Sequence, residues 1–144
     1  MIACLKAPHR SDLEVINNRA VLPRITQWIL DVCKSAELSD KTSFAVQLCL
    51  DEAIANVMEH SFDGLRATKI SIGLLRESAD VILTIEDDGG PFDPTTAEAP
   101  KLRETLDDTP VGGLGIHLIR SYARDLRYLR SEGRNRLQLT FANV

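Results

Sequence analysis

Three short clusters in this chain hold residue types that could do chemistry together. In order they are Asp51-Glu52-Ala53-Ile54-Ala55-Asn56 leading to Glu59-His60, then Asp87-Asp88-Gly89-Gly90-Pro91-Phe92-Asp93-Pro94, then Gly112-Gly113-Leu114-Gly115. Glu52 and Asn56 are four residues apart, so on a helix they stack on one face, and Glu59 and His60 continue that face one turn on. An acid and an amide one turn apart can hold a divalent cation and orient or deprotonate a hydroxyl. Alone, the same pair also fits an exposed polar stripe, and His60 fits a helix end better than a base or ligand. In the second cluster Asp87 ends a run of alternating apolar residues, and Gly89-Gly90 permit backbone angles that other residues avoid. A carboxylate fixed there can accept a hydrogen bond from a purine amino group while glycine lets the ring approach. The competing reading is an ordinary turn after a strand. In the third, Gly112, Gly113 and Gly115 precede an apolar helical pattern, where free N–H groups and the positive helix end suit phosphate oxygens. It lacks the Lys-Ser/Thr of a P-loop and is not a dinucleotide fingerprint after a strand; a flexible hinge is the alternative. Their order within one small chain outlines a nucleotide triphosphate site.

The elements that must position these clusters follow from periodicity. Ile2–Lys6 and Leu13–Ile16 read as short strands around a Pro8–Asp12 turn. From Ala20 to Ala36, Val21, Leu22, Ile25, Trp28, Ile29, Val32 and Cys33 mark a helical stripe, with Pro23 in its first turn. Ser39 and Asp40 offer N-caps for a second helix running to His60. Two alternating runs follow, Thr68–Leu75 and Val81–Glu86, turning at Glu77–Asp80. The Pro94–Val111 interval has no clear periodicity, as functional or mobile segments often do not. Helix resumes from Gly113 to Ala123, then strands near Leu126–Arg130 and Arg136–Phe141 flank a Ser131–Asn135 turn. The expected architecture is α+β: a two-layer sandwich with two or three helices on one face of a mostly antiparallel sheet, residues 1–144 forming one domain.

Composition narrows the function classes. The chain has 144 residues, 44% apolar and 26% charged, which suffices for one folded core. Its net charge of −4 argues against nonspecific nucleic-acid binding. Arg120, Arg124, Arg127, Arg130, Arg134 and Arg136 nevertheless concentrate positive charge near the C-terminus, where a solvated helix and hairpin surface is the simpler account. The N-terminal residues lack a secretion-signal pattern, and no run approaches the ~18 apolar residues of a membrane span. Cys4, Cys33 and Cys49 form no CxxC pair, which fits reduced, buried thiols in a cytoplasm. The three histidines have no ligand spacing with them, so zinc is not expected.

Taken together the clusters resemble the N, G1 and G2 boxes of the GHKL ATP-binding superfamily. The chain is similar over nearly its whole length to the small single-domain branch, the bacterial anti-sigma factor serine/threonine kinases (RsbW-like). The Pro91-Phe92-Asp93-Pro94 ending of the second cluster and the closing Glu132-Gly133-Arg134-Asn135-Arg136-Leu137 carry the likeness to that branch. It implies a Bergerat-type ATP-binding fold, with Glu52 as general base toward a serine or threonine hydroxyl and Asn56 holding Mg²⁺ against the ATP phosphates. It further implies Asp87 on the adenine amino group, Gly89 giving the ring room, Gly113, Leu114 and Gly115 along the triphosphate, and Pro94–Val111 as an ATP lid. The implied partners are a STAS-type anti-sigma factor antagonist, which is phosphorylated, and a sigma factor, which is sequestered. Neither membrane nor direct nucleic-acid contact is implied, and a homodimer is common in such relatives.

Two positions depart from the pattern. Pro91 stands where the superfamily often has a second glycine, though proline is common in this branch. Val111 stands where some kinase-active relatives carry a basic residue aimed at the γ-phosphate, a role that Lys101 or Arg103 could take instead. A rival expectation is therefore a nucleotide-gated binding module that sequesters a partner without catalysis. A detached catalytic domain of a sensor histidine kinase fits less well, because no dimerisation helices or phosphoacceptor segment precede the site.

Overall fold

Strict alternation of apolar side chains builds the sheet. The computed structural model describes residues 7–60, 67–96 and 113–144. Among the described residues five strands lie in one sheet: β1 (His9–Ile16), β2 (Lys69–Glu77), β3 (Asp80–Asp87), β4 (Asp125–Ser131) and β5 (Arg134–Ala142). Their order is β1-β2-β3-β5-β4, and every neighbouring pair is antiparallel. Successive strand residues point to opposite faces, and the register aligns the apolar set in rows. Ile72 faces Ile85, which faces Leu137; Leu74 faces Leu83, which faces Leu139, which faces Leu126. One face is therefore almost wholly aliphatic. The other carries Ser71, Gly73, Thr84, Glu86, Arg136 and Gln138.

Among the described residues three α-helices cover the aliphatic face: α1 (Leu22–Ser35), α2 (Asp40–His60) and α3 (Gly113–Tyr122). Ile25, Ile29, Val32 and Cys33 come from α1, Val46, Cys49, Leu50, Ala53 and Ile54 from α2, and Ile116 and Ile119 from α3, joining the sheet residues in one core. The molecule is an α+β two-layer sandwich, as its sequence pattern predicts. A short 3₁₀ turn, Arg19–Val21, leads into α1, with Pro23 in the first helical turn, where its missing N–H leaves no bond unmade. At the start of α2 the cap is Ser39, whose Oγ accepts the Thr42 N–H at 3.1 Å.

The N-terminal region differs from expectation. The Pro8–Asp12 segment is not a turn, because His9–Ile16 forms one strand along the whole of β2 from Arg76 to Lys69. A partner sixty residues away in sequence supplies its backbone bonds, and no local pattern announces that. Ile2–Lys6 lies outside the described residues. Two turns are tighter than expected, since β2 continues through Glu77 and β5 begins at Arg134. The β4–β5 hairpin turns on Glu132 (φ 53°) and Gly133 (φ 74°), both left-handed, the geometry that matches strand twist in a two-residue loop.

Several charge and thiol features settle with the fold. The C-terminal arginines do not form a bare basic patch. Arg124 pairs with Asp80 at 3.0 Å, Arg127 with Asp125 at 2.8 Å and Arg136 with Glu86 at 3.5 Å, while Arg120 bonds the Thr95 carbonyl. Cys33 and Cys49 are buried free thiols. Burial, with the Glu52 charge adding, pushes the Cys49 thiol up to about 12, so it packs rather than reacts. Among the described residues no helix is long and apolar enough to cross a membrane.

The two sheet faces make a direct test. Leu139 has no exposed surface, whereas Leu129 on β4 is 57% exposed on the opposite face. Leu139→Ala should cost about 3 kcal/mol of unfolding free energy in urea titrations, and Leu129→Ala should stay within about 0.5 kcal/mol of the parent.

Candidate functional site

Packing of α2 on the sheet decides where its polar residues go. Ala53 and Ile54 are driven into the core, so Asn56, between them and the end of β3, becomes buried at 7% exposure. Asp87, the last residue of β3, is buried at 2%. Both line a narrow cleft with Ala53, Val57, Phe92 and Tyr128. An amide from the helix and a carboxylate from the strand end thus share one wall, as their types require for a ligand that presents both phosphate and an N–H donor. The cleft holds only about 20 Å³, room for a water. A larger concavity, about 510 Å³, lies on the other sheet face around Gly73, away from this chemistry.

Glu52 is half-buried one turn before Asn56 and lies against the first turn of α3. A β-carbon placed on Gly115 would come within 2.6 Å of Glu52 Oε2 and 3.6 Å of Glu52 Cβ. Only glycine leaves the carboxylate where it stands. The acid of the first cluster and Gly115 of the third therefore meet, with Gly113 opening α3 and Leu114 following it. Gly112 and residues 97–111, including Lys101, Arg103 and Val111, lie outside the described residues. The Pro94–Thr96 start of the expected lid is a 3₁₀ turn, tied by the Thr95 N–H to Asp93 Oδ1 at 2.8 Å.

The second cluster is held by more than turn chemistry. The Gly89 N–H donates to Asp87 Oδ1 at 3.0 Å, and Asn135 Nδ2 donates to the same oxygen at 3.1 Å. Lys69 N–H bonds Asp88 Oδ1 at 2.7 Å, anchoring the strand end to β2. Arg130 Nη1 reaches the Gly89 carbonyl at 2.9 Å. Phe92 stacks on His60, with centroids 4.4 Å apart and planes 16° off parallel, so the last residue of α2 steadies the segment after β3. His60 is thus the helix-end residue the sequence suggests. Glu59 departs from expectation: it lines a groove with Asp51, Leu22 and Ile25 on the α1 side, not the cleft. Burial raises the Asp51 carboxyl there above its ordinary range.

Asn135, Tyr128, Arg130 and Phe92 are the residues that sequence reasoning left without roles. Asn135 and Phe92 fall within motifs singled out for other reasons, but only register and packing join them to Asp87. Burial raises the Tyr128 phenol, partly offset by Arg130, and it stays a neutral donor.

The residues fit a nucleoside triphosphate in kind: a fixed acceptor, a buried amide, an acid and a glycine-lined helix start. Comparison with known proteins agrees. Residues 17–141 match the model of the histidine kinase-like ATPase domain. Over 113 residues the chain is 35% identical to the serine/threonine-protein kinase BtrW of Bordetella bronchiseptica, covering 78% of this chain and 80% of that one. Its fold is similar to the structure of the RsbU and RsbW domains of Rv1364c from Mycobacterium tuberculosis, with TM-score 0.63, 10% identity and 92% of this chain covered. The chain spans about a third of that longer protein (32%). It also superposes on the catalytic domain of histidine kinase ThkA with TM-score 0.51 and 12% identity, covering 92% of this chain and 96% of that one. The chain belongs to the histidine kinase-like ATPase domain family.

Proposed function

We propose that this protein is an ATP·Mg²⁺-dependent serine/threonine kinase of the cytoplasm, residues 1–144 acting as one domain. It phosphorylates a STAS-type anti-sigma factor antagonist and, in the alternate state of a partner switch, sequesters a sigma factor. The observation that carries this reading is the convergence of Glu52 and Asn56 from α2, Asp87 and Gly89 from the end of β3, and Gly115 from α3. Support comes also from BtrW, a relative named a serine/threonine-protein kinase.

In this reading Asp87 accepts a hydrogen bond from the adenine amino group, and Gly89 leaves space for the ring. Gly113, Leu114 and Gly115 run along the phosphates, whose charge suits the N-terminus of α3. Asn56 would hold Mg²⁺, which supplies charge neutralisation across the phosphates when bound. Glu52 accepts the proton of the acceptor hydroxyl as that oxygen bonds the γ-phosphorus. The bond from the γ-phosphorus to the β–γ bridging oxygen breaks, and ADP leaves. Most of the acceleration comes from positioning and charge, as is general for phosphoryl transfer.

A second reading, nucleotide-gated sequestration without transfer, is favoured by one observation: Val111, two residues before Gly113, is not basic. Transfer of γ-labelled phosphate from ATP·Mg²⁺ into phosphatase-treated, then phosphatase-cleared, extract of the source cell separates the two. One small protein labelled by the parent supports the kinase, and absence of labelling despite ATP binding supports the module. Label stable to acid and labile to base marks phosphoserine or phosphothreonine; the reverse would point to a histidine kinase.

Two substitutions follow. Glu52→Gln should lower kcat by roughly 10²- to 10⁴-fold while leaving ATP affinity nearly unchanged, read by single-turnover transfer and by equilibrium titration. Gly115→Ala should leave the thermal midpoint unchanged or slightly higher, since alanine is the better helix former by about 1 kcal/mol and the Glu52 tip can swing aside. That swing should cost roughly 10- to 100-fold in transfer, and retention of full activity would contradict the placement of Glu52.

A further inference from the structure

The row of residues beside Asp87 contains an element that the assigned roles do not use. In the sheet register Asp87 of β3 lies directly opposite Asn135 of β5, and Asn135 lies directly opposite Arg130 of β4. Asn135 is 4% exposed and its amide is bonded on both sides. Nδ2 donates to Asp87 Oδ1 at 3.1 Å and to the Gly90 carbonyl at 2.8 Å. Oδ1 accepts from the Phe92 N–H at 3.3 Å, the Tyr128 hydroxyl at 2.5 Å and Arg130 Nη1 at 3.1 Å. Reversing the amide would set an NH₂ group against two groups that can only donate, the Phe92 N–H and the Arg130 guanidinium, and an oxygen against two acceptors. In a buried site each such mismatch leaves a polar group unsatisfied, at a cost of about 1–3 kcal/mol. The amide therefore has one orientation, with its N–H aimed at Asp87.

We infer that Asn135 is a positioning residue that sets the purine selectivity of the site, favouring a 6-amino over a 6-oxo base by holding Asp87 as a fixed acceptor. This rests on the nucleotide reading given above. Two N–H groups, from Gly89 and Asn135, converge on Asp87 Oδ1 and fix the carboxylate plane. An ionised carboxylate only accepts. It pairs with the amino group of adenine and repels the carbonyl oxygen that hypoxanthine or guanine presents at the same ring position. Asn135 lines the same cleft as Asp87 and acts on the base by fixing that carboxylate. Tyr128 and Arg130 hold its far side, so β4 contributes to a choice made at the end of β3. A buried, fully bonded network resists reorientation in a way that an exposed carboxylate does not.

The test is the ratio of ADP to IDP affinity, because these nucleotides differ only in the 6 substituent of the base and the N1 proton that accompanies the 6-oxo form. Binding of each, with Mg²⁺, is measured by calorimetry on the full chain. Asn135→Asp keeps the shape and replaces the donor with an acceptor; Asn135→Val keeps a strand-compatible side chain and removes hydrogen bonding. The parent should prefer ADP. In each folded variant, ADP affinity should fall by roughly 10- to 100-fold with little change for IDP, so that the ratio collapses toward one. Circular dichroism melts establish which variants fold, and either one suffices. A folded variant that is less stable yet keeps the parent ratio makes Asn135 merely structural and overturns the inference. A parent that binds neither nucleotide overturns the nucleotide reading itself, which is a separate result.

Discussion

The rest of this molecule depends on how α2 lies across the sheet. Val46, Cys49 and Leu50 have no exposed surface, and Ala53 and Ile54 have 1%. Burying each large aliphatic side chain is worth about 1.5–3 kcal/mol, against a net stability of about 5–15 kcal/mol for a typical domain. Turning the helix by one residue would expose several of them at once. The rotation of α2 is consequently fixed by the core, and the polar residues have no choice of direction. Asn56 is left at the end of β3, and Glu52 is left against α3. Gly115 of α3 then leaves the Glu52 carboxylate where it stands, because a methyl group there would occupy its place. The geometry of the candidate site is in this sense a by-product of aliphatic packing.

A second constraint operates at the strand end. Burying a carboxylate and an amide is unfavourable unless their hydrogen-bonding capacity is met. Asp87 and Asn135 meet it largely from backbone that the G1 segment brings over them: Gly89 N–H, Gly90 carbonyl and Phe92 N–H. The glycines and Phe92 are therefore held by the acid as much as they hold it. His60 extends the same economy, stacking on Phe92 and linking the C-terminal end of α2 to the loop after β3. Helix, strand end and loop form one unit, so disturbance at any of them is felt at Asp87.

The opposite face of the sheet holds the larger concavity but not the convergent polar groups. Its 510 Å³ concavity includes Gly73, where a β-carbon would sit 2.8 Å from Asp12 Oδ1. Charges around it are balanced across neighbouring residues, Lys69 with Glu14 at 3.7 Å and Arg136 with Glu86 at 3.5 Å. Exposed pairs of this kind contribute little to stability. The small cleft beside Asp87 has the convergent polar groups, and chemistry rather than volume distinguishes it.

Local information in the sequence determined a great deal. Alternation in Ile70-Ser71-Ile72 and Val81-Ile82-Leu83, and the helical stripe from Val21 to Cys33, dictate elements because side-chain direction has fixed periods of 2.0 and 3.6 residues. The Glu52–Asn56 spacing, the glycines after Asp87 and those opening α3 were legible for the same reason: each is a short-range pattern. What tertiary structure alone decided involves partners distant in the chain. The first strand runs from His9 because β2 supplies its bonds, Glu59 turns toward α1 because of how α2 is rotated, and Asn135 reaches Asp87 across a strand register 48 residues long. Register and helix rotation are set by the combined burial of the whole aliphatic face, a property of no single segment, and so no segment announces them.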